Sequence, residues 1–126
     1  MATTTVRILC VDDEPLVLKL MEAQLVPRGY EVFTAPNGAA ALRLVKEIRP
    51  HIVLLDIMMP VMSGIETLAE IRKIDPNVGV IMVTAVTDDE IARQAIALGA
   101  FDYVTKPINF DYLETALLVK YIMQIG

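Results

Sequence analysis

Four apolar stretches of this chain each run into a group that can do chemistry. Residues 6–11 lead to Asp12 and Asp13, residues 51–55 to Asp56, residues 80–83 to Thr84, and residues 101–105 to Lys106 and Pro107. A short apolar run bounded by polar residues reads as a buried parallel strand. In an open parallel sheet, ligands bind outside the carboxyl ends of the strands, at the switch point of the topology. Three carboxylates, a hydroxyl and an ammonium are therefore expected in one crevice. Crowded carboxylates repel unless a cation neutralises them. The expected chemistry is that of a divalent cation beside a phosphoryl group.

The elements that must position these groups alternate along the chain. Strands are predicted at residues 6–11, 31–35, 51–56, 78–84 and 101–105. Helices are predicted near residues 15–25, 37–48, 65–74, 88–98 and 110–124. Pro15 suits a first helical turn. The first helix carries Leu16, Leu20 and Leu25. Asp75, Pro76 and Asn77 break the third helix, and Gly99 ends the fourth as a C-cap. Strand–helix alternation implies an α/β fold, a doubly wound five-stranded parallel sheet covered on both faces. Right-handed crossovers leave few topologies. The flavodoxin-like order 2-1-3-4-5 places Asp12, Asp13 and Asp56 side by side.

Bulk properties narrow the function. The chain has 126 residues, which reads as one domain able to bury a core. Apolar residues make up 55%, and the mean hydropathy is +0.52. No run approaches the ~20 apolar residues of a membrane helix. The first residues carry neither a basic leader nor an apolar signal core. The expected compartment is the cytoplasm. A net charge of −5 and the lack of a basic stretch argue against direct contact with nucleic acid. Cys10 is the single cysteine and lies inside a strand, so it reads as a small buried residue.

The ordered set Asp12-Asp13, Asp56 with Pro60 and Gly64, Thr84-Ala85, Tyr103 and Lys106-Pro107 resembles the receiver domain of two-component response regulators. The resemblance spans residues 6 to about 122. It implies that Asp56 accepts a phosphoryl group, as an aspartyl phosphate. Asp13 and Asp56 are then expected to ligate Mg²⁺ directly, with the backbone carbonyl of Met58 added by the resemblance and Asp12 acting through water. Mg²⁺ keeps several waters, which suits so sparse a site. Lys106 is expected to pair with Asp56 at rest and with the phosphoryl group afterwards. The resemblance implies a cis Lys106–Pro107 bond. It also implies that Thr84 moves toward the phosphate, that Tyr103 then turns inward, and that the face made by the fourth helix, fifth strand and fifth helix switches.

Plainer readings exist for each residue alone. The Asp12-Asp13 pair suits a helix N-cap. Asp56 alone would be a loop carboxylate, Lys106 a surface lysine, Thr84 a strand residue and Tyr103 a half-buried aromatic. These readings must hold at five positions together, which favours the functional one. His51 has no evident partner in the sequence and reads as a loop residue. Two positions flanking the phosphoryl site vary in the family, and here they are Met58 and Val86. Neither can orient a water by hydrogen bonding, so slow self-dephosphorylation is expected.

On the fifth helix, Leu113, Leu117 and Tyr121 form a stripe suited to the sheet. Tyr112, Ala116, Val119 and Met123 form a second stripe, and Leu118 and Ile122 add to it. Either the helix has a broad buried face, or it carries an interface for a homodimer or effector domain. It lacks the basic residues typical of the winged-helix subfamily.

A phosphoacceptor switch is thus the leading reading. A sensor histidine kinase or phosphotransfer protein would be its donor. A true aspartyl phosphotransferase or phosphatase would want an acidic residue where Met58 stands. A flavin-binding protein would want a Ser/Thr/Gly-rich loop where Asp12, Asp13 and Glu14 stand. The chain is expected to be a stand-alone regulator or a piece excised from a longer one.

Overall fold

The computed structural model describes residues 5–125, the side chains of residues 122, 124 and 125 excepted. Ile122, part of the second stripe on the fifth helix, therefore lies outside the described residues. The strands are β1 (Arg7–Val11), β2 (Glu31–Ala35), β3 (Ile52–Leu55), β4 (Gly79–Thr84) and β5 (Asp102–Thr105). The helices are α1 (Pro15–Leu25), α2 (Gly38–Ile48), α3 (Gly64–Ile74), α4 (Asp89–Ala97) and α5 (Phe110–Ile125), with a 3-10 turn at Val26–Arg28. All strand pairs are parallel, in the order β2-β1-β3-β4-β5. This is the flavodoxin-like order.

Period-two alternation sorts the strand side chains into two cores. Leu9, Val11, Val53, Leu55, Val80 and Met82 meet Ala41, Val45, Leu68, Ile71 and Ala95 from α2, α3 and α4. Ile8, Cys10, Ile52, Leu54, Ile81 and Val83 meet Met21, Leu25, Leu113 and Leu117 from α1 and α5. Each such fully buried aliphatic contributes about 1.5–3 kcal/mol relative to exposure.

Side-chain caps fix where helices begin. Asn37 accepts the Ala40 N–H, and Asp88 accepts those of Glu90 and Ile91. Ser63 and Glu66 form a reciprocal capping box at the start of α3. The N-cap of α1 is Glu14, with no side-chain capping bond, so capping α1 is not what Asp12 and Asp13 do.

Packing sorts the stripes of α1 and α5, and the reading of His51 needs correction. In α1 the core residues are Met21 and Leu25, whereas Leu16 and Leu20 are exposed. In α5, Ala116 joins Leu113 and Leu117 in the core, while Tyr112, Leu118, Val119 and Met123 face outward. His51 does have a partner. Its Nδ1 accepts the Arg7 N–H at 2.9 Å, and its own N–H donates to the Arg7 carbonyl at 2.9 Å. Burial, then the Arg7 charge, hold the imidazole below its usual pKa, which keeps Nδ1 an acceptor.

Candidate functional site

Strand register assembles the site. Val11 pairs with Leu55, so the residues that follow, Asp12 and Asp56, emerge side by side. The Asp56 N–H donates to the Val11 carbonyl at 3.0 Å and the Asp12 N–H to the Ala35 carbonyl at 3.2 Å. On the other side, Thr84 pairs with Thr105, and the Lys106 N–H donates to the Thr84 carbonyl at 2.9 Å. Lys106 thus leaves the sheet beside β4 and reaches back toward β1 and β3.

Its ammonium lies 2.7 Å from Asp12 Oδ2, 3.2 Å from Asp56 Oδ2 and 4.0 Å from Glu14 Oε1. Asp12 is the nearer partner, although Asp56 was the one expected. Asp12 is fully buried, and its other oxygen accepts the Glu14 N–H at 2.9 Å. Burial holds the Asp12 carboxyl above its ordinary pKa, and the Lys106 hydrogen bond offsets that only in part. Burial pushes Lys106 down, but the hydrogen bond and charge of Asp12 and the charge of Asp56 outweigh it and leave the ammonium above its usual range.

Asp56 is almost fully buried and its Oδ1 accepts the Ile57 N–H at 2.7 Å. Asp13 is exposed. Asp12, Asp13 and Asp56 each present an oxygen, and these lie within 4.8 Å of one another. Asp13, Glu14, Asp56, Met58, Ala85 and Lys106 line an open cavity of about 630 Å³. An all-oxygen donor set of this kind fits a hard dication. Asp13 and Asp56 line the cavity, whereas Asp12 is fully buried and does not, which leaves the first two better placed for direct contact.

The loop from β3 to α3 is held tightly against the acceptor strand. The Gly64 N–H donates to the Ile57 carbonyl at 2.9 Å. A Cβ on Gly64 would fall on the Asp56 carbonyl oxygen, so only glycine fits. Val61 in this loop has φ 70°, a left-handed conformation that costs a β-branched residue roughly 1–2 kcal/mol.

Thr84 and Tyr103 do not line the cavity. Thr84 is buried and its Oγ1 accepts the Val86 N–H at 3.3 Å. The Tyr103 hydroxyl donates to the Val86 carbonyl at 2.7 Å. The backbone of Val86 thereby links the two, while its side chain packs on the core beneath α2, α3 and α4. Ala85 takes the place at the cavity wall where Val86 was expected. Burial, then the charges of Asp56 and Asp88, raise the Tyr103 pKa. The Lys106–Pro107 peptide bond is cis, the isomer the resemblance implies. Sequence reading gave neither Glu14 nor Ala85 a place in the site, although Ala85 stood in the motif beside Thr84; both line the cavity.

Residues 8–118 match the family model described as the response regulator receiver domain. The chain belongs to that family. The regulatory protein AtoC of Escherichia coli is 42% identical over 119 residues, which cover 94% of this chain and 25% of that protein. The chemotaxis protein CheY of Thermotoga maritima is 40% identical over 112 residues, covering 88% of this chain and 93% of that one. A CheY-like receiver structure from Methanospirillum hungatei superposes with a TM-score of 0.92 at 31% identity, covering 96% of this chain and 97% of that chain. This receiver domain spans about a quarter of AtoC and 46% of the similar KdpE of Mycobacterium tuberculosis. It is a signalling module of two-component systems, not a classical enzyme. Among the described residues, no helix is long and apolar enough to cross a membrane.

Proposed function

We propose that Asp56 accepts a phosphoryl group from a sensor histidine kinase or phosphotransfer protein. The reading rests chiefly on one observation. Three aspartate oxygens converge within 4.8 Å, and an ammonium lies 3.2 Å from the central carboxylate. An Asp56 oxygen attacks phosphorus, an O–P bond forms, and the bond to the donor's leaving group breaks with its electron pair departing on that group. Lys106 holds charge against the phosphoryl oxygens. Thr84, once released from Val86, offers them a hydroxyl. Asp13, Asp56 and the Met58 carbonyl would hold Mg²⁺, with Asp12 acting through water. The ion when bound offsets repulsion between carboxylate and phosphoryl group. The only reactions this chain catalyses are its own phosphorylation and dephosphorylation.

Release of Val86 by Thr84 loosens the carbonyl that Tyr103 holds, so the signal passes to α4, β5 and α5. That face carries exposed Ile96, Tyr112, Val119 and Met123. It is the proposed contact for a second copy or an effector domain. Residues 1–126 act as one receiver unit, alone or within a longer regulator, in the cytoplasm. The unit itself makes no contact with nucleic acid or membrane. Any DNA binding of the kind that the name of KdpE, a transcriptional regulatory protein, points to belongs to other parts of a longer chain. The apolar Met58 at the cavity and Val86 behind it leave an attacking water unoriented, so the aspartyl phosphate decays slowly.

Incubation with acetyl phosphate and Mg²⁺, read by intact mass, tests this. One added phosphoryl group is expected in the wild type, with none in Asp56→Asn or in chelator. Decay within seconds after donor removal would contradict the slow-decay part.

A further inference from the structure

We propose that Met58 is a methionine-oxidation site whose sulfoxide shortens the life of the phosphoryl group on Asp56. The inference rests on Asp56 being the acceptor. Met58 is 66% exposed and lines the same cavity as Asp56, Lys106 and Ala85. Its backbone N–H lies 3.4 Å from Asp56 Oδ1, which ties it to the acceptor. Among the described residues, Met21 and Met82 are buried and Met59 and Met62 are half-buried. Met123 is exposed, but it lies near the far end of α5, away from the cavity. Cys10 does not compete for oxidant, because it is fully buried and burial pushes its thiol up to about 12.

The oxidant is a hydroperoxide. The sulfur lone pair attacks the distal peroxide oxygen, an S–O bond forms and the O–O bond breaks. Sulfur loses two electrons, and the leaving oxide takes a proton and departs as water or alcohol. The thioether cannot usefully accept a hydrogen bond, whereas the sulfoxide oxygen is a strong acceptor. A polar acceptor at this position of the wall can hold a water for in-line attack on the aspartyl phosphate, which the Met58 thioether and the Ala85 methyl group do not. The change is reversible by methionine sulfoxide reductases.

The test treats the whole chain with hydrogen peroxide and maps sulfoxide by peptide mass. The oxidised protein is then loaded with acetyl phosphate and Mg²⁺, and decay is followed by intact mass. Met58 is expected to oxidise ahead of Met59 and Met62. Decay is expected to quicken roughly fivefold, the effect of one ordinary hydrogen bond on a rate. Sulfoxide reductase should restore the slow decay, and peroxide should leave the decay of Met58→Leu unchanged. Unchanged or slower decay of oxidised wild type would overturn the inference, as would an equal acceleration in Met58→Leu. Absence of any phosphoryl adduct before oxidation would instead refute Asp56 as acceptor.

Discussion

At the carboxyl ends of the strands, Asp12, Asp13, Asp56 and Lys106 face one another around an open cavity of about 630 Å³. At the amino ends, charged side chains are bound to backbone carbonyls instead. The Arg72 guanidinium donates to the Val78 carbonyl at 2.6 Å and the Gly99 carbonyl at 2.7 Å. Arg7 donates to the carbonyls of Ile48 at 3.0 Å and Arg49 at 2.6 Å. The first pole gathers carboxylates around an open cavity, while the second closes the turns that enter β3, β4 and β5. One end is arranged for a ligand and the other for stability, a division expected where activity needs unneutralised charge.

That contrast makes the two poles separable by mutation. Arg72→Met should cost about 2 kcal/mol, chiefly because it strips a charged donor from the carbonyl of buried Val78, and to a lesser degree from that of exposed Gly99. Urea unfolding would show this, with phosphoryl uptake unchanged at temperatures where the variant stays folded. A variant that unfolds normally but loses phosphorylation would break the contrast.

Asp12→Asn should do the reverse. The folded state holds the Asp12 carboxyl above its ordinary pKa, so it binds that proton more tightly than the unfolded chain does. Ionised Asp12 therefore opposes folding at neutral pH, and this opposition fades as pH falls through the raised pKa. In chelator at pH 7, Asp12→Asn should melt higher than wild type. Its Mg²⁺ affinity, measured by calorimetry, should drop about tenfold or more, as for other groups that orient metal-bound water. A lower melting temperature would show that the Lys106 ion pair outweighs the desolvation.

The smallest effect belongs to His51. Its folded pKa is below the usual value of about 6.5, so the unfolded chain binds the proton more readily. Stability is then complete above that value and is lost as pH falls toward the folded pKa. Denaturation at pH 7 and pH 5.5 should show this slope in wild type and a shallower one in His51→Asn, which keeps an acceptor for the Arg7 N–H. Equal slopes would remove His51 from the account.

Much of this was legible because the chemistry sits where apolar runs stop. Once strand and helix alternate, the ends of β1, β3, β4 and β5 must gather, so Asp12, Asp13, Asp56 and Lys106 could be brought together from sequence. Details that depend on register could not. Asp12 is the nearer partner of Lys106, at 2.7 Å against 3.2 Å for Asp56, although the strand order puts Asp56 on β3 closer to β5. His51 finds Arg7 only because β1 and β3 begin beside each other. Val86 follows Thr84 by two residues, yet the turn after β4 lays its half-buried side chain against the core and gives the cavity wall to Ala85. On α1, apolar residues at 16, 17, 20, 21 and 25 satisfy two overlapping helical stripes, and packing selects Met21 and Leu25.

The most direct test is the location of the phosphoryl group itself. Borohydride reduces an aspartyl phosphate to homoserine, so peptide mapping after phosphorylation and reduction marks the acceptor. Homoserine at position 56, and at neither 12 nor 13, is the result expected. Homoserine at Asp12 or Asp13, or stable phosphate on Thr84, would contradict the assignment of Asp56.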